Sequence, residues 1–124
     1  MSITANLRYQ KRDEWNNEVF IASERYPDEK EGAIKLKLIL SKLGEMDIET
    51  FIPIYINDDI GYSTIRFKNF KGLKLVERNL YTVNFSVNKI KRGDKEYINC
   101  YINYITLKKK AKPQERGETL EFNI

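Results

Sequence analysis

The chain has 124 residues and a mass of 14.7 kDa, enough for one domain and little more. Its residues are 41% hydrophobic and 32% charged with a net charge of +4, so one core with a heavily charged surface is expected. No apolar run approaches the roughly 18 residues of a membrane span. A single cysteine, Cys100, and no histidine exclude internal disulfides, Cys/His zinc sites and every His-based triad.

Met1 to Gln10 has no apolar h-region, so no secretory signal is read and a cytoplasmic location is expected. Ser2 to Asn17 is polar without a clean period, and residues 1–17 are read as an N-terminal arm. Glu18 to Tyr26, with Val19, Phe20 and Ile21, reads as a short strand, and Pro27 to Gly32 is turn chemistry. Ala33 to Leu43 admits two readings. Asp28 with Glu31 three residues on resembles a capping box and Gly44 a stop, the marks of a helix. Against this, Ile34, Leu36, Leu38 and Leu40 alternate with Lys35, Lys37 and Ile39, and this alternation favours a strand.

Glu49 to Asn57 alternates clearly, and Pro53, which cannot donate to a ladder, puts that strand at an edge or a bulge. Asn57 to Gly61 is a turn, with Asp58-Asp59 a solvated pair inside it. Tyr62 to Lys68 places Ile65 and Phe67 inward and Tyr62, Arg66 and Lys68 outward. Asn69 to Asn79 connects. Leu80 to Asn88 is the best-patterned strand: Tyr81, Val83, Phe85 and Val87 share one face, and Thr82, Asn84 and Ser86 the other. Lys89 to Lys95 reads as a basic hairpin loop turning at Gly93-Asp94. Glu96 to Leu107 returns, with Ile98, Cys100, Ile102 and Tyr104 inward and Tyr97, Asn99, Tyr101 and Asn103 outward. Ile105 and Leu107 break that phase, which predicts a bulge near Tyr104. Residues 18–112 thus form the domain and 113–124 a short tail. Five or six strands with at most one helix predict a mainly β fold, closed as a small, partly open barrel of the oligonucleotide/oligosaccharide-binding (OB) type.

The charge is unevenly spread. Residues 1–60 hold eight basic and twelve acidic side chains, residues 61–124 fourteen and six. A basic half attracts polyanions, because each phosphate contact releases a condensed counterion. On the outward faces, Tyr62, Tyr97 and Tyr101 are flanked by Arg66, Lys68, Lys89, Lys91, Arg92 and Lys95. Rings interleaved with cations on a sheet suit unpaired bases, which stack while the cations hold the backbone. No nucleophile–base pair and no glycine-rich phosphate loop is visible, so a non-enzymatic role without cofactors is expected. Cys100 reads as a packing residue, and Glu24, Asp28, Glu29 and Glu31 as an exposed acidic loop.

The segment Val83-Asn84-Phe85-Ser86-Val87-Asn88, the basic run Lys89 to Lys95, the strand Glu96-Tyr97-Ile98-Asn99-Cys100 and the basic exit Lys108-Lys109-Lys110-Ala111 resemble the central hairpin of bacterial single-stranded-DNA-binding proteins. The resemblance covers about a quarter of the chain. It implies a divergent, mobile-element (phage or plasmid) version of such an OB-fold protein, acting in DNA replication, with Tyr97 stacking on a base. It also implies that the remaining barrel elements come from residues 1–60 in a rearranged strand order. The expected partner is single-stranded DNA, with RNA as an option, bound largely without regard to sequence. Homo-oligomerisation through the N-terminal arm or a strand edge is a further expectation. The alternative is a small phage or plasmid protein that occludes a host protein, its acidic half mimicking nucleic acid.

Overall fold

The computed structural model describes residues 2–43, 52–68 and 70–111. Six strands and one helix follow one another as β1 (Ser2–Arg12), β2 (Glu18–Ser23), α1 (Pro27–Lys42), β3 (Ile54–Asn57), β4 (Tyr62–Phe67), β5 (Leu80–Arg92) and β6 (Lys95–Lys109). They form one antiparallel sheet in the order β3-β4-β2-β1-β5-β6. The fold is mainly β, an open, curled sheet consistent with the OB-like partly open barrel expected from the strand count. No helix among the described residues is long and apolar enough to cross a membrane.

The presumed N-terminal arm is instead the middle of the sheet. Residues 2–8 of β1 pair with β5, Ser2 opposite Ser86 and Arg8 opposite Leu80, while residues 8–12 pair with β2. Ala5, Leu7 and Tyr9 alternate inward, and Thr4, Asn6 and Arg8 outward. The alternation is faint in the sequence because small Ala5 and amphipathic Tyr9 stand among its apolar positions, beside Ile3 and Leu7. Residues 2–12 are therefore paired strand and not an arm. Arg8 and Arg12 are spent within the molecule: Arg12 Nη2 lies 2.8 Å from Glu18 Oε2, and Tyr9 donates its hydroxyl to Glu18 Oε1 at 2.9 Å. Burial, then the hydrogen bond to Glu18 and its charge, pushes the Tyr9 hydroxyl pKa up.

The favoured strand at 33–43 is also corrected: the segment belongs to helix α1. The alternation of Ile34, Leu36, Leu38 and Leu40 misled because Ile34 and Leu38 are exposed. The inward residues Glu29, Gly32, Ala33, Leu36 and Ile39 follow a 3.6-residue period. Nor does the expected capping box form. Tyr26 is the N-cap without a side-chain bond, Pro27 opens the first turn with its fixed φ, and Asp28 and Glu29 face the positive end of the dipole. Gly32 is required by proximity: a Cβ there would lie 2.4 Å from the Asn6 carbonyl oxygen. Lys35 Nζ donates to the Thr4 carbonyl at 2.7 Å, so the helix covers β1 where β2 has left it.

Glu29, expected in an exposed acidic loop, is 1% exposed. Its Oε2 accepts from Arg8 Nε at 2.7 Å and its Oε1 from the Ser23 N–H at 3.1 Å. Arg8 Nη1 also donates to the Arg78 carbonyl. One carboxylate thereby joins α1, β1, β2 and, through Arg8, the connector before β5.

The core lies between the curled sheet and α1. Phe20 is its hub, in edge-to-face contact with Tyr9, Phe67 and Tyr81 at centroid distances of 5.2, 5.4 and 6.2 Å. Such pairs contribute about 0.5–1.5 kcal/mol each beyond burial. Tyr81 adds a polar link, its hydroxyl accepting the Val76 N–H at 2.8 Å. Because every neighbouring pair is antiparallel, β4 and β6 run the same way. They meet where the Lys68 N–H donates to the Cys100 carbonyl at 2.8 Å, which partly closes the barrel.

The two sheet edges are blunted. Edge strand β3 spans four residues after Pro53, as the proline implied, although residues 49–51 of the expected strand lie outside the described residues. Edge strand β6 carries register shifts and ends in Lys108-Lys109; bulges and lysines both discourage edge pairing. Residues 113–124, read as a tail, lie outside the described residues.

Replacing Glu29 by Gln should lower unfolding free energy by about 2–4 kcal/mol, since it leaves Arg8 unpaired at a buried junction. Urea unfolding followed by circular dichroism measures this, and a loss under about 0.5 kcal/mol would show that the junction does not hold the helix.

Candidate nucleic-acid interface

The β5–β6 hairpin builds the candidate site. Leu80–Arg92 and Lys95–Lys109 pair along their whole length, so the expected basic loop of residues 89–95 is mostly strand. Only Gly93 and Asp94 form the turn, with Gly93 at φ +63°, where a side chain would be strained. The outcome is a two-stranded finger.

Pairing fixes which side chains share a face. Tyr97 lies opposite Ile90, Asn99 opposite Asn88 and Tyr101 opposite Ser86, all outward, while Ile98 and Cys100 are buried. Tyr97 and Tyr101 are 40% and 37% exposed, rings available to a ligand. Arg92 and Lys95 pair directly beside the turn, in the same phase as Tyr97. Lys89 and Lys91 do not join them: they lie opposite Ile98 and Glu96, on the other face of the finger, and Lys89 Nζ is 3.2 Å from Glu96 Oε2. The charge run was legible, but two of its members needed the strand period to place them.

The other predicted residues lie on β4 or just beyond it. Lys68 and Arg92 line one groove with Ile90, Tyr97 and Asn99, about 330 Å³ in volume, within the range that admits a small ligand group. Arg66 and Lys68 line a smaller cleft with Tyr97 and Asn99, where β4 meets β6. Tyr62 sits apart, half-exposed, in a groove with Tyr55, Lys11 and Arg66 on the β3–β4 side. Arg66 borders both. The structure thus brings Arg66, Lys68, Arg92 and Tyr97 together and places Lys95 at the adjoining turn. Tyr101 lies farther along β6, and Tyr62 across Arg66.

The charge of Arg66 is partly engaged. Its Nε is 3.6 Å from Asp13 Oδ2. Burial works to raise the Asp13 pKa, but hydrogen bonds from Asn17 and Trp15, with Arg66 beside it, outweigh burial and hold it below the usual carboxylate range. Asp13 also organises the β1–β2 turn, where Asn16 has φ +63° and Trp15 is 72% exposed.

Tyr104 is a correction: expected inside, it is 62% exposed. It lies opposite Asn84, whereas Phe85 lies opposite Ile102, so Asn103 is the extra residue of the predicted bulge. That extra residue shifts the phase and turns Tyr104 to the face of Tyr97 and Tyr101. The phase break at Ile105 is the signal in the sequence: a bulge at Asn103 displays the third ring. Ile105 is half-buried against the core, while Leu107 is exposed.

No protein-family model, curated protein or solved structure matches the chain.

Cys100 is 1% exposed, and burial pushes its thiol up to about 12. A neutral thiol behind a closed seam should resist Ellman's reagent at pH 8 and react fully once the chain is unfolded in guanidinium. Because its folded pKa lies above the unfolded value, this group holds more protons in the native state, and stability should fall as pH rises above about 9. Rapid labelling of the native protein would show that the β4–β6 seam opens freely.

Proposed function

We propose that the protein binds single-stranded nucleic acid, most favourably DNA, without catalysing a reaction. The observation that carries this reading is the outward row of Tyr97, Tyr101 and Tyr104 on one strand, with Arg92, Lys95, Lys68 and Arg66 gathered at its Tyr97 end. Exposed rings offer faces to unpaired bases, and the cations neutralise the phosphates that follow. A duplex keeps its bases stacked on one another, so the same surface gains from it only the phosphate contacts. Binding that rests on ring faces tolerates most sequences. The resemblance of the hairpin to bacterial single-stranded-DNA-binding proteins agrees with this reading.

The alternative, occlusion of a host protein by an acidic mimic of nucleic acid, would need a free acidic row, and four acidic residues among the described ones do not supply it. Glu18, Glu29, Glu24 and Asp58 are engaged with Arg12, Arg8 and Lys37 rather than aligned as a free row.

Fluorescence anisotropy with labelled oligo-dT and with a duplex of equal length tests the reading. The single strand should bind more tightly, and log K should fall with log salt by about 0.7 per phosphate contacted. Tyr97→Ala should cost about 1–3 kcal/mol of binding with an unchanged melting temperature. Equal affinity for duplex and single strand, or no binding at low salt, defeats the proposal.

A further inference from the structure

The bulge residue of β6 carries a second consequence. Around Asn103, side chains of three strands form one hydrogen-bonded lattice on the outer face. Asn103 Nδ2 donates to Asn84 Oδ1 and to Ser86 Oγ, both at 2.9 Å. Asn84 Oδ1 also accepts from Ser2 Oγ at 3.1 Å, and Asn84 Nδ2 donates to Thr4 Oγ1 at 2.8 Å. No charged group takes part.

Both hydrogens of the Asn103 amide are therefore committed, which fixes its plane. Its Oδ1 is left as an acceptor, and among the described residues no group donates to it. Asn103 is exposed and stands between two rings. Tyr101 lies opposite Ser86 and Tyr104 opposite Asn84, the two residues to which Asn103 donates. A base resting on either ring would bring its edge toward this acceptor.

From this we infer that Asn103 is a specificity-determining residue that reads base edges as an acceptor and favours bases with an exocyclic amine, such as cytosine, over thymine. The inference rests on the proposed single-strand binding and adds a base preference to it. The chemistry is asymmetric. Cytosine projects an amine with two hydrogens. The one donor of thymine, N3–H, is recessed between two carbonyl oxygens whose lone pairs repel a third oxygen. Ring stacking at Tyr97, Tyr101 and Tyr104 does not distinguish the two pyrimidines in this way. A preorganised acceptor loses little freedom on binding, so the bond is made at low entropic cost.

The test compares oligo-dT with an oligomer of 5-methyl-deoxycytidine of equal length, at neutral pH and fixed salt, by anisotropy. The two bases share ring and methyl group and differ at their hydrogen-bonding edge. The expected result is about three- to tenfold tighter binding of the 5-methylcytosine oligomer. Asn103→Ala should remove that difference and leave oligo-dT affinity within about twofold. Its melting temperature serves as the folding control, and the wild-type comparison stands without it. Equal affinities, a preference for thymine, or a preference that survives Asn103→Ala would overturn the inference while leaving single-strand binding intact. Failure of both oligomers to bind at low salt would instead remove the function on which it rests.

Discussion

The contact between Arg8 and Glu29 governs where the rest of the chain goes. Both charges are withdrawn from water to different degrees, the carboxylate almost fully and the guanidinium in part. A carboxylate so buried needs several donors, and the fold supplies them from separate segments: a side chain of β1 and a backbone amide of β2. Satisfying one group ties the first turn of the helix to both strands. Arg8 extends the tie to the connector that launches β5. With β1 anchored there, its two ends diverge, one along β5 and the other along β2. The sheet order, and with it the position of the outer hairpin, follows from that divergence.

The strands of the second half were legible because their alternation is strict. Tyr81 to Val87 switches between inward and outward residue types at every step, and the structure keeps that phase throughout. The inward pair Ile65 and Phe67 was equally plain. β1 and α1 were not, for different reasons. In β1 the apolar signal is thin, and pairing on both sides supplies what hydrophobicity does not. In α1, exposed Ile34 and Leu38 fill the gaps between buried positions and imitate a two-residue period. Tertiary contact decides both cases, and no window of a dozen residues contains that information.

The candidate site divides in the same way. Tyr97, Tyr101 and Arg92 were legible because they lie on a regular strand pair. Lys89 and Lys91 were grouped with them by charge alone, and the period puts them on the other face. The convergence of Arg66 and Lys68 on Tyr97 depends on the β4–β6 meeting at Cys100, a contact between residues more than thirty positions apart. Local sequence cannot announce such a seam; it needs the sheet to curl first.

The single surplus residue at Asn103 acts on the distal strand as a frameshift acts on a reading frame. Upstream of it odd-numbered residues point outward; just downstream the parity is reversed, so Tyr104 is displayed and Ile105 is tucked under. Excising that one position would close the ladder without a bulge, Tyr104 still opposite Asn84 and Ile105 still opposite Val83; a ladder that instead took Asn103 into register would turn the far half of β6 inside out, with a phenol exchanged for an aliphatic at the core and the ring row cut short. The face that the far half of β6 presents therefore depends on Asn103 staying out of register: a homologue could lose that residue and keep Tyr104 on display, but would lose the amide that spans Asn84 and Ser86.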